Sequence, residues 1–144
     1  MGSNEQLIKL QFCAECNELQ CVRDTIRTAL TEKNIPEDFI EEVALAVDEA
    51  CANIVQHAQK DNIKYTGDII LEIFHNPYEV TITLTDFADP VDTSQCKSRK
   101  LDEVRPGGLG LHFMHELMDK VQFLETNSKI GNILEMKKKL PKTQ

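Results

Sequence analysis

Apolar and polar residues alternate in Leu7-Ile-Lys-Leu-Gln-Phe12, and this period of two predicts a first strand. The period then changes. Leu19, Val22, Ile26 and Leu30 recur at helical spacing, and Asn17 with Gln20 three residues on has the form of a capping box, so a helix is expected through about Lys33. Asn34-Ile-Pro36 is a break. Pro36 suits the first turn of a second helix, whose positive N-terminus favours Glu37 and Asp38, and that helix is expected to run to about Gln59. Residues 61–68 are polar and include Gly67, which reads as a loop. Ile69–Phe74 and the β-branched Glu79–Asp86 read as two strands of a hairpin around a turn at His75–Tyr78, with Val80, Ile82 and Leu84 on one face. Periodicity fades from Phe87 to Arg105. It returns in Leu111–Lys120, a predicted helix with Leu111, Met114, Leu117 and Met118 inward. Val121–Glu125 and Asn132–Leu140 read as closing strands around a turn containing Asn127 and Gly131.

The expected order is therefore β-α-α-β-β-loop-α-β-β. Hairpins imply a largely antiparallel sheet, and three helices can cover one of its faces, giving an α+β two-layer sandwich. A chain of 144 residues is long enough for one domain with a proper core, and no internal repeat or second domain is visible, so residues 1–144 are read as one unit.

The charge balance narrows the partners. A formal net charge of -8 argues against binding nucleic acid through its phosphates, and suits a basic protein partner or a solvated surface. No apolar run approaches the roughly 20 residues of a membrane span. The first residues have neither a basic segment nor an apolar one, so no signal peptide is read and a cytoplasmic location is expected. Five cysteines without an export signal read as reduced thiols. Cys13-Ala-Glu-Cys16 and His112-Phe-Met-His115 lack zinc-finger spacing, and small part-buried thiols are the simpler account of the cysteines. His75, His112 and His115 are expected at the surface.

Three clusters carry candidate chemistry. In the second helix, Glu49, Asn53 and His57 stand four residues apart and so share one face, with Ala46 and Ala50 beside them. An acid, an amide and an imidazole in a row suit a polar pocket, where a carboxylate takes a proton and an amide oxygen binds a hard cation. The second cluster is Asp86-Phe-Ala-Asp-Pro90. A carboxylate at a strand end can accept a hydrogen bond from an exocyclic amine, although an aspartate there is more often a turn-former. The third is Arg105-Pro-Gly107-Gly108-Leu109-Gly110-Leu111, opening the last helix. Glycines let backbone approach a ligand, and free N–H groups at a helix start bind phosphate, but the spacing matches neither common phosphate-loop signature and a plain turn would look the same.

In this order, Glu49-x-x-x-Asn53-x-x-x-His57, Asp86-x-Ala88-x-Pro90 and Gly107-Gly108-Leu109-Gly110 resemble the boxes of the Bergerat-fold (GHKL) ATP-binding family. Within it, Glu49-Ala-Cys-Ala-Asn53, the run Gly107–Asp119 and Gly131-Asn-Ile-Leu-Glu-Met most resemble the small anti-sigma factors that are serine-protein kinases. The resemblance implies the following assignments. Asn53 binds Mg²⁺, Glu49 takes the proton of an attacking serine, and Asp86 reads adenine beside Ala88 and Pro90. Gly107, Gly108, Leu109 and Gly110 cradle the ATP phosphates below a lid at about 91–106. Arg105, chosen because it adjoins the glycines, neutralises γ-phosphate charge, a role open also to Lys97, Arg99 and Lys100. His57 either lies near the phosphates or caps the pocket wall. The implied partners are a sigma factor, a STAS-domain anti-anti-sigma antagonist and a second copy of the chain in a homodimer. One departure stands out: Ala88 sits where many relatives have glycine, which tolerates a tight turn better. The alternative function is a nucleotide-gated partner-binding regulator without phosphotransfer.

Overall fold

The computed structural model describes residues 4–13, 19–57, 67–87, 114–124 and 131–141, apart from the side chains of residues 56 and 57. Its elements are β1 (Glu5–Cys13), α1 (Leu19–Glu32), α2 (Glu37–His57), β2 (Asp68–His75), β3 (Glu79–Asp86), β4 (Lys120–Leu124) and β5 (Asn132–Lys139), with a helical segment at 114–117. The strands form one sheet in the order β1-β2-β3-β5-β4, and all four pairings are antiparallel. This is the α+β architecture expected from the hairpin pattern.

Alternation decides which face is buried. Ile69, Leu71 and Ile73 of β2 lie opposite Asp86, Leu84 and Ile82 of β3, which in turn face Asn132, Leu134 and Met136 of β5. These residues are all buried and, the polar pair Asp86–Asn132 aside, join Val22, Ile26 and Leu30 of α1 and Val43, Ala46, Val47, Ala50 and Ile54 of α2 in one core. Met114, on the third helical segment, and Met118, just after it, complete the core. The other sheet face carries polar cross-strand contacts instead, such as Gln122 donating to Glu135 at 2.7 Å and Gln6 donating to Glu72 at 3.1 Å. One-sided burial fixes the register, because a one-residue slip would turn the apolar set to solvent. Ile82 sits in the middle of this layer at 0% exposure, so Ile82→Ala is expected to cost about 2–5 kcal/mol in denaturant unfolding.

The turns have identifiable chemistry. Asn34 ends α1 with φ at 59°, and Ile35 and Asn34 donate to the carbonyls of Leu30 (3.3 Å) and Thr31 (3.0 Å). Together with the buried pair Ile35 and Leu30, this is a Schellman cap. The β2–β3 hairpin closes on the Asn76 side chain, whose Oδ1 accepts from the backbone of Tyr78 at 2.7 Å and Glu79 at 3.0 Å. Gln20 donates to Asp24 and accepts from Arg23, while Asn17, the other half of the expected capping box, lies outside the described residues.

One boundary differs from expectation. The last helix was expected to reach Lys120, but it ends at Leu117, and Lys120 already pairs with Lys137 in the sheet. The final helical bond runs from Met118 to Met114, after which Asp119 takes two bonds to β5: its N–H donates to Lys137 O and its Oδ2 accepts from Lys139 N. A carboxylate able to bond the neighbouring strand ends the helix earlier than periodicity alone indicates. His115 is exposed as expected, whereas His75 is half-buried in β2 and His112 lies outside the described residues.

Cys51 is buried on α2, and loss of solvation, with Asp48 as a lesser cause, pushes its thiol up to about 12. A raised thiol pKa contributes stability that is complete below the unfolded value near 9 and lost as pH rises toward 12. The thermal midpoint of the native chain should therefore fall more steeply between pH 9 and 11 than that of Cys51→Ala.

Candidate functional site

Helix α2 is the platform for the first cluster. Its buried face is built from small and branched residues, with Ala46 and Ala50 both at 0% exposure. The alanines that flank the polar stripe are therefore core contacts. Glu49 and Asn53 stand on the border of that face, half-buried, one helical turn apart. His57 is the last residue of α2, and its side chain lies outside the described residues. Asp48 borders the opposite side and meets α1, where its Oδ2 takes Arg23 at 2.7 Å. Below this pair, Arg27 makes a two-pronged contact with Glu41, both bonds at 2.9 Å. These two contacts bridge α1 and α2 beside their shared apolar core.

The second cluster begins at the end of β3. Asp86 is 4% exposed, and a buried carboxylate needs donors. Asn132, its direct cross-strand neighbour, gives it one: Nδ2 donates to Oδ1 at 3.0 Å. The chain reaches this position through Gly131, whose φ is +104°. A Cβ there would stand 2.8 Å from the carbonyl oxygen of Asp86. Only glycine permits both the backbone angle and the close approach. Gly131→Ala is expected to lower unfolding free energy by about 1–3 kcal/mol from the strained backbone alone, measured by denaturant titration.

The structure thus carries Glu49 and Asn53 on one helix and buries Asp86 at the end of β3. It pairs Asp86 with Asn132, a contact that the residue pattern did not indicate. Its only signal in the sequence was the Gly131-Asn132 pair at a strand start. Ala88, Pro90, Arg105, Gly107, Gly108, Leu109, Gly110 and the segment 91–106 lie outside the described residues. An open groove of about 480 Å³ between β1 and α1, lined by Leu10, Cys21 and Thr25 among others, contains none of the candidate residues.

The donor chemistry on α2 fits a magnesium ion. Mg²⁺ takes oxygen ligands in near-octahedral geometry, keeps several waters, and is commonly held by one or two protein oxygens plus substrate phosphates. A half-exposed amide, with a carboxylate one turn away, supplies such a set without a dedicated cage.

Comparison with known proteins identifies the family. Residues 12–138 match the family described as the histidine kinase-like ATPase domain. The chain belongs to that family. It is also similar to proteins named serine-protein kinase RsbW. It is 32% identical to that of Bacillus velezensis over 136 residues, covering 89% of this chain and 83% of the relative. It is 31% identical to that of Bacillus subtilis over 130 residues (85% and 80%), and 30% identical to that of Staphylococcus aureus over 154 aligned positions (100% and 93%). These near full-length matches place the chain in the serine-protein kinase branch of the histidine kinase-like ATPases. The α+β fold, with helices over one face of an antiparallel sheet, is the fold of that family. Among the described residues, no helix is long and apolar enough to cross a membrane.

Proposed function

We propose that the chain is a cytoplasmic anti-sigma factor that sequesters a sigma factor and uses Mg²⁺·ATP to phosphorylate a serine on a STAS-domain antagonist. The observation that carries this reading is the near full-length similarity to serine-protein kinases in a chain whose α2 presents Glu49 one turn before Asn53. In this reading residues 1–144 act as one ATP-binding kinase domain, with the lid at about 91–106, and the active form is a homodimer.

The division of labour follows from donor chemistry. Asp86 accepts a hydrogen bond from the adenine amine. Backbone at Gly107, Gly108, Leu109 and Gly110 surrounds the phosphates, with Ala88 and Pro90 shaping the turn after Asp86. Asn53 holds the metal ion, which when bound offsets charge on the phosphate oxygens. Glu49 removes the proton as the serine oxygen attacks the γ-phosphorus, the bond from that phosphorus to the β-phosphate oxygen breaks to release ADP, and Arg105 offsets charge that builds on the transferring group. His57, the last residue of the same helix, either lies near the phosphates or caps the pocket wall. A regulator that only bound nucleotide would have no use for a carboxylate at position 49.

The test is direct. The chain is incubated with Mg²⁺, γ-labelled ATP and a candidate STAS-domain antagonist. Label is expected on a serine of the antagonist. An antagonist that stays unlabelled while both it and ATP are bound would rule out the kinase reading.

A further inference from the structure

Alternation along β5 turns Asn132, Leu134, Met136 and Lys138 to the helix-covered face of the sheet. Lys138 stands directly across from Val80, which is fully buried. An aliphatic side chain at this place would extend the apolar layer, whereas a buried ammonium has to be paired. Lys138 is paired from two further elements. Its side chain is 15% exposed, and its Nζ donates to the carbonyl of Leu117 at 2.6 Å. The same atom lies 3.0 Å from Oε2 of Glu42 and 5.3 Å from the centre of the Phe39 ring. Leu117 ends the helical segment 114–117, where a carbonyl lacks an intrahelical donor and a cation matches the helix dipole. Phe39 and Glu42 belong to the first turns of α2.

The bonds of Asp119 to Lys137 and Lys139 already fasten the end of this segment to β5. They do not reach α2. Lys138 does, and so joins three elements at one atom. Both helical pieces adjoin the candidate chemistry along the chain. Gly110 precedes Met114 by four residues, and Glu49 follows Glu42 by seven, about two turns along α2. A shift of the segment 114–117 against α2 would change the spacing between groups that bind one ligand. We propose that Lys138 is a positioning residue for the nucleotide: its ammonium ties the helical segment after the glycine run to the helix that carries Glu49 and Asn53, and so favours the arrangement that binds Mg²⁺·ATP. Lys138 touches no reacting atom in this role. The role rests on the reading of Glu49, Asn53 and the glycine run as parts of one nucleotide site.

The experiment is a double-mutant cycle on the full chain. Lys138→Met keeps a long apolar stem and removes the ammonium. Glu42→Ala, at a side chain 42% exposed, cuts the bridge on the α2 side alone. Calorimetry gives the Mg²⁺·ATP affinity and the number of sites per chain, and labelled phosphate gives transfer to the antagonist at saturating ATP. Lys138→Met is expected to weaken Mg²⁺·ATP binding by about tenfold, and Glu42→Ala by about threefold. The double variant should bind no more weakly than Lys138→Met alone, because both changes break the same bridge. Transfer at saturating ATP should stay within about threefold of native, since the reacting groups are untouched. A merely structural lysine gives a different result: fewer sites per chain and a lower unfolding midpoint, with the affinity of the remaining sites unchanged. That result, or affinity losses that add in the double variant, or transfer lost at saturating ATP, overturns the proposal. A native chain that fails to bind Mg²⁺·ATP overturns instead the reading of the site on which it rests. Where methionine at this place prevents folding, Glu42→Ala decides, and unchanged affinity in that variant removes Lys138 from the role.

Discussion

Glu49→Gln is expected to leave ATP binding within a few-fold of native and to slow transfer to the antagonist serine by about 10²–10⁴-fold, the usual contribution of a positioned general base. The two side chains have the same length and shape, so the half-buried border of α2 accepts the change without repacking. The helix itself is held by Val43, Ala46, Val47, Ala50 and Ile54, none of which touches the substitution through a change in volume. The adjacent carboxylate does not substitute for the lost one: Asp48 points to α1 and is committed to Arg23 at 2.7 Å. Asp48→Asn is the matching control. It weakens a part-buried ion pair between two helices and should lower the unfolding midpoint, with transfer reduced far less than in Glu49→Gln. The measurement is single-turnover transfer of labelled phosphate alongside calorimetric ATP affinity. Equal transfer rates in native and Glu49→Gln chains would remove Glu49 from the role of base.

The contrast between Asp48 and Glu49 shows how far residue spacing carries. Helical periodicity places Glu49, Asn53 and His57 on one face because every bond that makes the helix is local. It likewise places Val22, Ile26 and Leu30 in the core, where the structure has them at 0–1% exposure. The strands were legible for the same reason, as was the antiparallel sheet, since short polar turns join neighbouring strands. Contacts set by distant pairing were not. Asn132 is 46 positions from Asp86, and their meeting depends on β5 inserting between β3 and β4. Asp86 in isolation has the form of a turn-former, and its burial follows from its place in the sheet between Ile69 of β2 and Asn132 of β5. Asp119 is a similar case: the bond that ends the last helix early is made to Lys139, on a strand whose position local pattern does not specify.

Asn53→Ala is expected to abolish the Mg²⁺ dependence of ATP binding. Mg²⁺ demands close to octahedral oxygen coordination and gives up water reluctantly, so each protein oxygen that replaces a water must be held where the shell requires it. In the proposed site Asn53 would fill this place on α2, one turn after Glu49, where a neutral amide would add an oxygen ligand without adding charge beside the proposed base. Removing it leaves the ion only phosphates and water. ATP affinity measured with Mg²⁺ should fall by at least about tenfold, toward the value measured with a chelator present. Helix melting does not account for such a loss, because alanine is the better helix former by about half a kcal/mol. Circular dichroism of the variant should therefore show native helix content at temperatures where Mg²⁺·ATP binding is already lost. The metal role of Asn53 fails if calorimetry finds the same ratio of affinities with and without Mg²⁺ in the native chain and in Asn53→Ala.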